Sequence, residues 1–458
     1  METTKKIPDL VASTNDLYSC SILESRRRER VIQAKGSELH QAAAAPIPTG
    51  SEYAEANYFK SAQWTPDGTS LLTSSADNTI RTFILPPTLL DNPTSPASLT
   101  PYTTHLFPTT VNCLALYPYY TLSEPTTTLY LSAPSSLPVR LSNTLSPTAV
   151  PLATYSLVCP TTEAYLTPSS IFWSAPGTSF LTGTDCLISV FDISRNGSGP
   201  STRLPTIPSK RHKMKGGGVG MRGIISALSL QADNDGQGIL AAGTWTRWVG
   251  LYDAAGMGGT VATWSIAEAA DGEAGIGGTG IAQTGWSRCG KYMWVAERKS
   301  RGVLVYDVRV TGKLVCWLEG REGDTNQRLG VDSFEGENGL EIWSGGTDGV
   351  VRIWEGVGSQ EGGCKRNWEW KAHDDPISST VLHNTGTVVA TCSGQRSEPY
   401  WNGGSTMDYK NSSDSSSDDE TGSDDESSSS GSEEETSTSV TPPPPSRMPD
   451  NTLKVWSL

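Results

Sequence analysis

The sequence lacks the features of a secreted, membrane-spanning or metal-binding protein. No apolar run approaches the ~18 residues that a membrane-spanning helix needs, and the first residues contain no apolar stretch of a secretion signal. The eight cysteines are scattered without a Cys-x-x-Cys pair, and the five histidines have no metal-ligand spacing. These absences predict an intracellular protein with free thiols and without a bound metal ion or cofactor.

A complete catalytic motif is also missing. Residues 275–280 fit Gly-x-Gly-x-x-Gly, but a strand-like segment follows them where a dinucleotide site needs a helix, so we interpret them as a glycine-rich loop. Residues 285–291 fit most of a phosphate loop, but Tyr292 replaces the Ser or Thr that would hold magnesium. No nucleophile motif lies near the histidines. The sequence therefore predicts a protein that is not an enzyme.

Positive charge is not in excess: 35 Lys and Arg stand against 49 Asp and Glu, a formal net charge of −14. Residues 402–446 hold eleven carboxylates and one lysine, a net −10, which leaves −4 for the rest of the chain. This stretch is too polar and too rich in serine to fold, and we predict a disordered acidic insertion. A globally basic nucleic-acid binder is excluded, so any nucleic acid must be held by a local cationic patch.

A repeated pattern organises the remainder of the chain. Four times an aspartate precedes an aromatic residue by six positions, with alternating apolar residues between them; the four aspartates are Asp77, Asp185, Asp348 and Asp450. An aspartate in a tight turn accepts hydrogen bonds from the turn's backbone amides, and the alternation indicates a strand. We therefore predict a structural role for these aspartates, each just before the closing strand of a repeat.

Weaker copies bring the closing strands to seven, which end at Phe83, Leu141, Phe191, Tyr252, Tyr306, Trp354 and Trp456. With the acidic insertion set aside, they recur about every 50 to 60 residues. Short strands in groups of four at this period predict an all-β fold, a seven-bladed WD-repeat β-propeller. It would comprise residues 57–401 and 447–458, with the insertion in the last blade. Residues 1–56 would form a partly disordered N-terminal segment, in which residues 17–23 supply a strand that closes the ring.

Several segments are more specific than a generic WD repeat. Residues 58–68 (YFKSAQWTPDG), 325–328 (TNQR) and 390–396 (ATCSGQR) closely resemble the telomerase Cajal body protein family. The resemblance covers about residues 57–458 and implies a nuclear scaffold that binds small RNAs of the H/ACA type, including telomerase RNA. The resemblance to fungal relatives implies a role with small nuclear ribonucleoproteins in pre-mRNA splicing. Such a protein would act as a monomer together with ribonucleoprotein proteins, in the nucleus or its Cajal bodies.

The cations in or near these segments are the candidate RNA contacts: Arg247, Arg298, Lys299, Arg309, Arg328 and Arg396. Arginine suits RNA because its planar fork binds phosphate in a bidentate way and stacks on bases, and Trp245 and Trp248 are candidate stacking surfaces. The alternative role is structural, since an arginine of a propeller can pair with a turn aspartate.

Two alternatives stay open from the sequence. The basic run at residues 210–215 is either a nuclear import signal or phosphate contact, or a solvated loop. The near-neutral charge of the predicted propeller also fits a protein–protein adaptor, such as a ligase substrate receptor or chromatin scaffold, without RNA binding. Salt-sensitive RNA binding would separate the two functions.

Overall fold

A computed structural model describes residues 7–14, 57–91, 95–174, 177–207, 220–232, 238–253, 259–395 and 450–458. In these residues the chain forms thirty strands in seven sheets and one short π-helix, Ala269–Glu273. The protein is a seven-bladed WD-repeat β-propeller, which confirms the predicted fold class. The acidic insertion at 402–446, the basic run at 210–215 and Arg396 lie outside the described residues, and their predicted roles stay predictions.

In chain order the strands are β1 Asp9–Ser13, β2 Phe59–Trp64, β3 Ser70–Ser75, β4 Thr79–Ile84, β5 Ala97–Ser98, β6 Thr103–Leu106, β7 Val111–Leu116, β8 Leu129–Pro134, β9 Val139–Asn143, β10 Ala153–Tyr155, β11 Ser170–Trp173, β12 Ser179–Thr184, β13 Leu187–Asp192, β14 Thr202–Pro205, β15 Ile225–Ala232, β16 Gly238–Thr244, β17 Trp248–Asp253, β18 Thr260–Ser265, β19 Ile281–Trp286, β20 Tyr292–Glu297, β21 Gly302–Asp307, β22 Lys313–Glu319, β23 Val331–Gly336, β24 Gly339–Gly345, β25 Val350–Trp354, β26 Gly362–Cys364, β27 Trp368–Lys371, β28 Ile377–Leu382, β29 Val388–Ser393 and β30 Leu453–Ser457.

Each blade is a twisted sheet of four antiparallel strands. Blades 1 to 6 begin with β2, β7, β11, β15, β19 and β23, and blade 7 consists of β28, β29, β30 and β1. The first strands of successive blades contact one another, which places them around the central channel. All seven predicted closing positions lie in the third strand of a blade, so the repeat read from the sequence is the blade repeat.

The hydrophobic core is divided among the gaps between blades. Seven clusters of buried residues each draw their members from two adjacent blades. Both faces of a blade are therefore covered, and strands such as β3 and β21 are buried along their whole length. Among the largest fully buried side chains are the closing aromatics Phe83, Phe191 and Trp354. Burying one such side chain stabilises the fold by about 1.5–3 kcal/mol, so the packing between adjacent blades contributes strongly to stability.

The turn between the first two strands of blade 1 shows how a local sequence determines a tight hairpin. The Asp67 carboxylate accepts hydrogen bonds from the Thr65 hydroxyl at 2.6 Å and the Thr69 amide at 3.2 Å. Gly68 has φ +71°, a left-handed conformation in which glycine costs least. A Cβ atom at Gly68 would also lie 2.0 Å from Nε2 of His383 in blade 7. The glycine is needed both for the turn and for the approach of the neighbouring blade.

The N-terminal segment closes the ring. Strand β1 pairs antiparallel with β30, with Leu10 opposite Trp456, and so becomes the outer strand of blade 7. Val11 and Ala12 of β1 are buried. The strand in this position is therefore Asp9–Ser13, while the range predicted for it, 17–23, lies outside the described residues. The segment predicted to end at residue 56 thus contributes one strand to the propeller.

Two blades carry a fifth strand donated by the following blade. β5, in the connection between β4 and β6 of blade 1, pairs parallel with β1 of blade 7. β26, in the corresponding connection of blade 6, pairs parallel with β22 of blade 5. These additions cover the outer edges of blades 5 and 7, where unpaired backbone groups would otherwise invite pairing with other chains.

Candidate nucleic-acid interface

One end of the ring, which we call the loop face, carries most of the sequence-predicted site residues. Because neighbouring strands are antiparallel, the turn between the second and third strands of a blade lies at the same end as the connection into the next blade. Trp245 and Arg247 are in such a turn of blade 4, and Arg298 and Lys299 are in the equivalent turn of blade 5. Arg328 lies in the connection from β22 to β23.

Residues 325–328 link several blades across the loop face. Backbone contacts join this segment to blade 5, since the Lys299 amide donates to the Thr325 carbonyl at 3.2 Å. The Gln327 side-chain amide donates to the Gly394 carbonyl of blade 7 at 2.8 Å. The segment is therefore held in place from both neighbours.

Arg328 extends further and crosses the mouth of the central channel. Its Nη2 atom donates to the carbonyl of Ser169 at 3.1 Å, a residue 159 positions away that precedes the first strand of blade 3. Blades 3 and 6 are three blades apart, the greatest separation in a ring of seven. A side chain that joins the starts of their first strands must lie over the channel. Burial lowers the pKa of Arg328.

Arg298 and Trp245 form a stacked pair between blades 4 and 5. The guanidinium carbon of Arg298 lies 5.0 Å from the ring centroid of Trp245, a cation–π contact, and Nη1 donates to the Asn326 carbonyl at 3.3 Å. The Nε atom of Arg298 is buried and has no hydrogen-bond partner in the part of the chain that the structure describes. Trp245 remains 43% exposed although it is a large apolar side chain. The pair therefore retains a stacking surface and an unused donor.

Left-handed residues recur in the turns between second and third strands: Asn78, Ser136, Cys186, Arg247 and Lys299, with φ between 50° and 65°. Residues other than glycine seldom adopt this conformation because it is sterically unfavourable. The short side chain of asparagine can offset this cost with a local hydrogen bond to the backbone, but a long basic side chain cannot. Lys299 is exposed, and no side-chain partner is found for it among the described residues. A strained, exposed and unpaired cation of this kind is typical of a functional position.

Arg247, by contrast, is surrounded by carboxylates. It donates to Asp271 at 2.6 and 2.9 Å and to Glu297 at 2.8 and 3.1 Å. Glu297 is buried, and burial raises its pKa even with Arg247 beside it, whereas the hydrogen bonds from Arg247 lower the pKa of Asp271. Arg247 thus neutralises a buried acid between blades 4 and 5, which is the structural alternative considered from the sequence.

Two further candidates lie away from this group. Arg309 follows the third strand of blade 5, at the opposite end of the ring, and its Nη2 atom lies 2.6 Å from the Asp307 carboxylate. Trp248 is the first residue of β17 and packs against the core cluster between blades 3 and 4. The loop face therefore brings together Trp245, Arg298, Lys299 and Arg328, and we call these four residues the rim.

The four turn aspartates occupy the positions that the sequence indicates. Three of them pair with a basic residue four positions on: Asp77 with Arg81, Asp348 with Arg352 and Asp450 with Lys454. Asp77 and Asp348 also accept backbone amides within their turns, while the Asp185 carboxylate accepts the Cys186 thiol at 3.3 Å. These contacts support the predicted structural role.

Sequence inspection missed one cation beside the rim. Lys60 lies at a β-bulge of β2, the innermost strand of blade 1, and its amine donates to the Val111 carbonyl at 2.7 Å. Burial, with the charge of Arg328 as the next cause, lowers the pKa of Lys60 to about 8. In the sequence Lys60 is one polar residue of an alternating strand, so only its place beside Phe59 and Ser61 in the family-like segment could have drawn notice.

Within the described ranges, no three His, Cys, Asp or Glu side chains come together as a set of metal ligands. Over the same ranges, no helix has the length and apolar character to span a membrane.

Comparisons with known proteins agree with this architecture. Residues 54–83 match the family model described as WD domain, G-beta repeat. Telomerase Cajal body protein 1 of Rattus norvegicus is 28% identical over 353 residues, 75% of this chain and 60% of that protein. Guanine nucleotide-binding protein negative regulator 1 of Schizosaccharomyces pombe is 26% identical over 301 residues, 65% of this chain and 70% of that protein.

A third relative, Protein SWT21 of Vanderwaltozyma polyspora, is 24% identical over 343 residues, 71% of this chain and 74% of that protein. The resemblance to telomerase Cajal body proteins is thereby confirmed over most of the chain. The matched region corresponds to 60% of the length of the rat protein.

Proposed function

We propose that this WD-repeat propeller is a non-enzymatic nuclear scaffold that binds small nuclear or H/ACA-type RNA at the rim and supports ribonucleoprotein assembly or localisation. One observation carries the proposal: Arg298, Lys299 and Arg328 meet beside an exposed tryptophan, and in the described residues none of the three is paired with a carboxylate. Arg247, which has a structural role, is by contrast paired with two carboxylates.

The chemistry of the rim suits a single-stranded RNA segment. Arginine and lysine bind phosphate, and Trp245 can stack on a base that has left a helix. A propeller with a net charge near −4 outside the acidic insertion has no general affinity for polyanions, so binding depends on this local patch. The name of the mammalian relatives supports a telomerase or Cajal-body setting. A splicing setting is supported only by the resemblance of the sequence to fungal members of that family.

A variant pair tests the proposal without unfolding the protein. Arg298→Gln removes a charge but keeps a polar side chain, and Lys299→Asn removes a charge in a left-handed turn that asparagine tolerates well. We expect the double variant to bind an H/ACA-type small RNA about tenfold more weakly and to reduce the slope of log affinity against log salt by about 1 to 2. Fluorescence anisotropy between low and moderate salt measures both.

Arg309→Gln is the matched control, because it removes an exposed arginine from the opposite end of the ring and should leave the affinity unchanged. RNA binding that ignores salt, or a double variant that binds like the parent, contradicts the proposal. The absence of any RNA binding would favour the protein–protein adaptor instead.

A further inference from the structure

We propose that the loop-face mouth of the central channel binds a phosphate group between the amine of Lys60 and the guanidinium of Arg328. Such a site deepens the proposed function, because it names the chemical group that enters the channel. Its occupation by an RNA phosphate rests on that proposed function. A phosphodiester of a bound RNA and a free phosphate compound share this chemistry, and the experiment below separates them.

The two cations converge from different blades. Lys60 is on the first strand of blade 1 and donates to Val111 at the start of blade 2. Arg328 precedes blade 6 and donates to Ser169 at the start of blade 3. Cys113 of blade 2 is close to both cations, and its thiol donates to the Pro168 carbonyl at 3.6 Å. Three side chains, from blades 1, 2 and 6, and backbone carbonyls of blades 2 and 3 therefore line one place in the channel mouth.

Both cations have hydrogen-bonding capacity left over. An ammonium group has three donors and a guanidinium group five. In the described part of the chain, the Lys60 amine has one acceptor, the Val111 carbonyl, and the Arg328 guanidinium has one, the Ser169 carbonyl. The remaining donors are available to an anion that enters the channel mouth.

Among the described residues, no acid balances the charges in the channel mouth. Lys60 and Arg328 are both half-buried, and the Arg328 charge is the second cause, after burial, of the lowered Lys60 pKa of about 8. Burial raises the pKa of the Cys113 thiol to about 12, so this thiol is neutral at physiological pH. The carboxylate that influences Lys60, Asp77, is itself paired with Arg81.

Two half-buried like charges that lie close together repel each other, and an anion placed between them offsets the repulsion. Phosphate is the fitting anion because it is compact, carries acceptors on all sides and accepts charge-assisted hydrogen bonds from ammonium and guanidinium groups alike. A carboxylate has two acceptor atoms in one plane and would satisfy fewer of the donors. The mouth of the channel adjoins the rim, so a nucleotide held at Trp245 would have its neighbouring phosphates within reach of the same face.

Lys60 itself reports on the site. We would acetylate the full-length protein with acetic anhydride near neutral pH and follow each lysine by mass spectrometry. Inorganic phosphate should slow the acetylation of Lys60 about tenfold, since an anion that raises an amine pKa by one unit reduces its neutral fraction tenfold. Chloride at matched ionic strength should have little effect, and the exposed Lys291 should react equally in both.

Variants at the second cation supply the control. Arg328→Gln should abolish the protection of Lys60 by phosphate, and Arg328→Lys should retain part of it. If Arg328→Gln does not fold, Lys60→Arg and Lys60→Met provide the measurement instead: phosphate should raise the melting temperature of the parent and of Lys60→Arg, but not of Lys60→Met.

The RNA arm repeats the labelling with the small RNA in place of phosphate. Protection by both supports the site and assigns it to an RNA phosphodiester. Protection by phosphate alone supports the site and assigns it to a free phosphate compound, whether or not RNA binds at the rim. Unchanged Lys60 reactivity with phosphate overturns the inference, even where RNA binds to the rim in the anisotropy assay and the proposed function stands.

Discussion

At the scale of single residues, the pairing of charges separates structural cations from available ones. Arg247 and Lys299 adopt the same left-handed turn in adjacent blades, yet Arg247 neutralises the buried Glu297 and Lys299 faces solvent. Their residue types and local sequences give no basis for this distinction, because it depends on which acid the neighbouring connection brings close. The structure therefore divides a set of candidates that looks uniform in the sequence.

Asp332 gives a prediction about pH. It lies on β23, its carboxylate accepts the amides of Leu382 at 2.8 Å and Ser333 at 2.9 Å, and no cation pairs with it among the described residues. Burial raises its pKa from 3.8 to about 6. Because the folded state binds this proton more tightly, the stabilisation by Asp332 protonation is fully present below pH 3.8 and is lost as the pH rises through about 6.

Between pH 7.5 and pH 5, protonation of Asp332 should raise the free energy of unfolding of the parent protein by about 1–1.5 kcal/mol. The Asp332→Asn variant should lack this gain. Urea denaturation at the two pH values measures the difference. The exposed Asp91→Asn is the control and should follow the parent. An Asp332→Asn protein with the same pH dependence as the parent would show that Asp332 titrates as it does in the unfolded chain.

At the scale of elements, the N-terminal strand β1 is the outer strand of blade 7 and supports that blade. It pairs with β30 and carries β5, and its Val11 and Ala12 are buried. Deletion of residues 1–13 should lower the free energy of unfolding by about 3–5 kcal/mol, because it removes a strand of the ladder and two buried side chains and exposes the edge of β30. Thermal and urea unfolding measure the loss.

Deletion of residues 1–6 is the matched control, since it leaves β1 intact, and should change stability little. Val11→Ala, a smaller change in the same strand, should cost about 1–2 kcal/mol. A protein without residues 1–13 that melts like the parent would mean that β1 contributes nothing to ring closure.

The elements also show what the sequence can and cannot predict. The blade count was predictable because the pattern of the third strand is local: in four blades an aspartate, an alternating run and an aromatic fall within seven residues, as from Asp77 to Phe83, and weaker copies at the same period complete the seven. The contact between Arg328 and Ser169 was not, because it joins residues 159 positions apart and exists only once the ring has closed. The parallel strands β5 and β26 were equally hidden, since two or three paired residues leave no periodicity.

At the scale of the whole molecule, charge is divided between the rim and the acidic insertion. The insertion leaves the described propeller after Gln395 and returns at Asp450, both in the second turn of blade 7 on the loop face. Gly394, next to the point of departure, is hydrogen-bonded to Gln327 of the segment that carries Arg328. A net charge of −10 is therefore attached at the face where we propose that RNA binds.

Removal of residues 402–446 should strengthen RNA binding, because it changes the formal net charge from −14 to −4 and removes repulsion of the phosphates. We expect affinity to rise about three- to tenfold at low salt and the gain to vanish at high salt, where charges more than one Debye length apart are screened. A neutral Gly/Ser segment of the same length is the control for chain length and should show the same gain. If only the shortened chain binds RNA more tightly, length rather than charge is responsible; if neither does, the insertion lies outside the electrostatic reach of the rim.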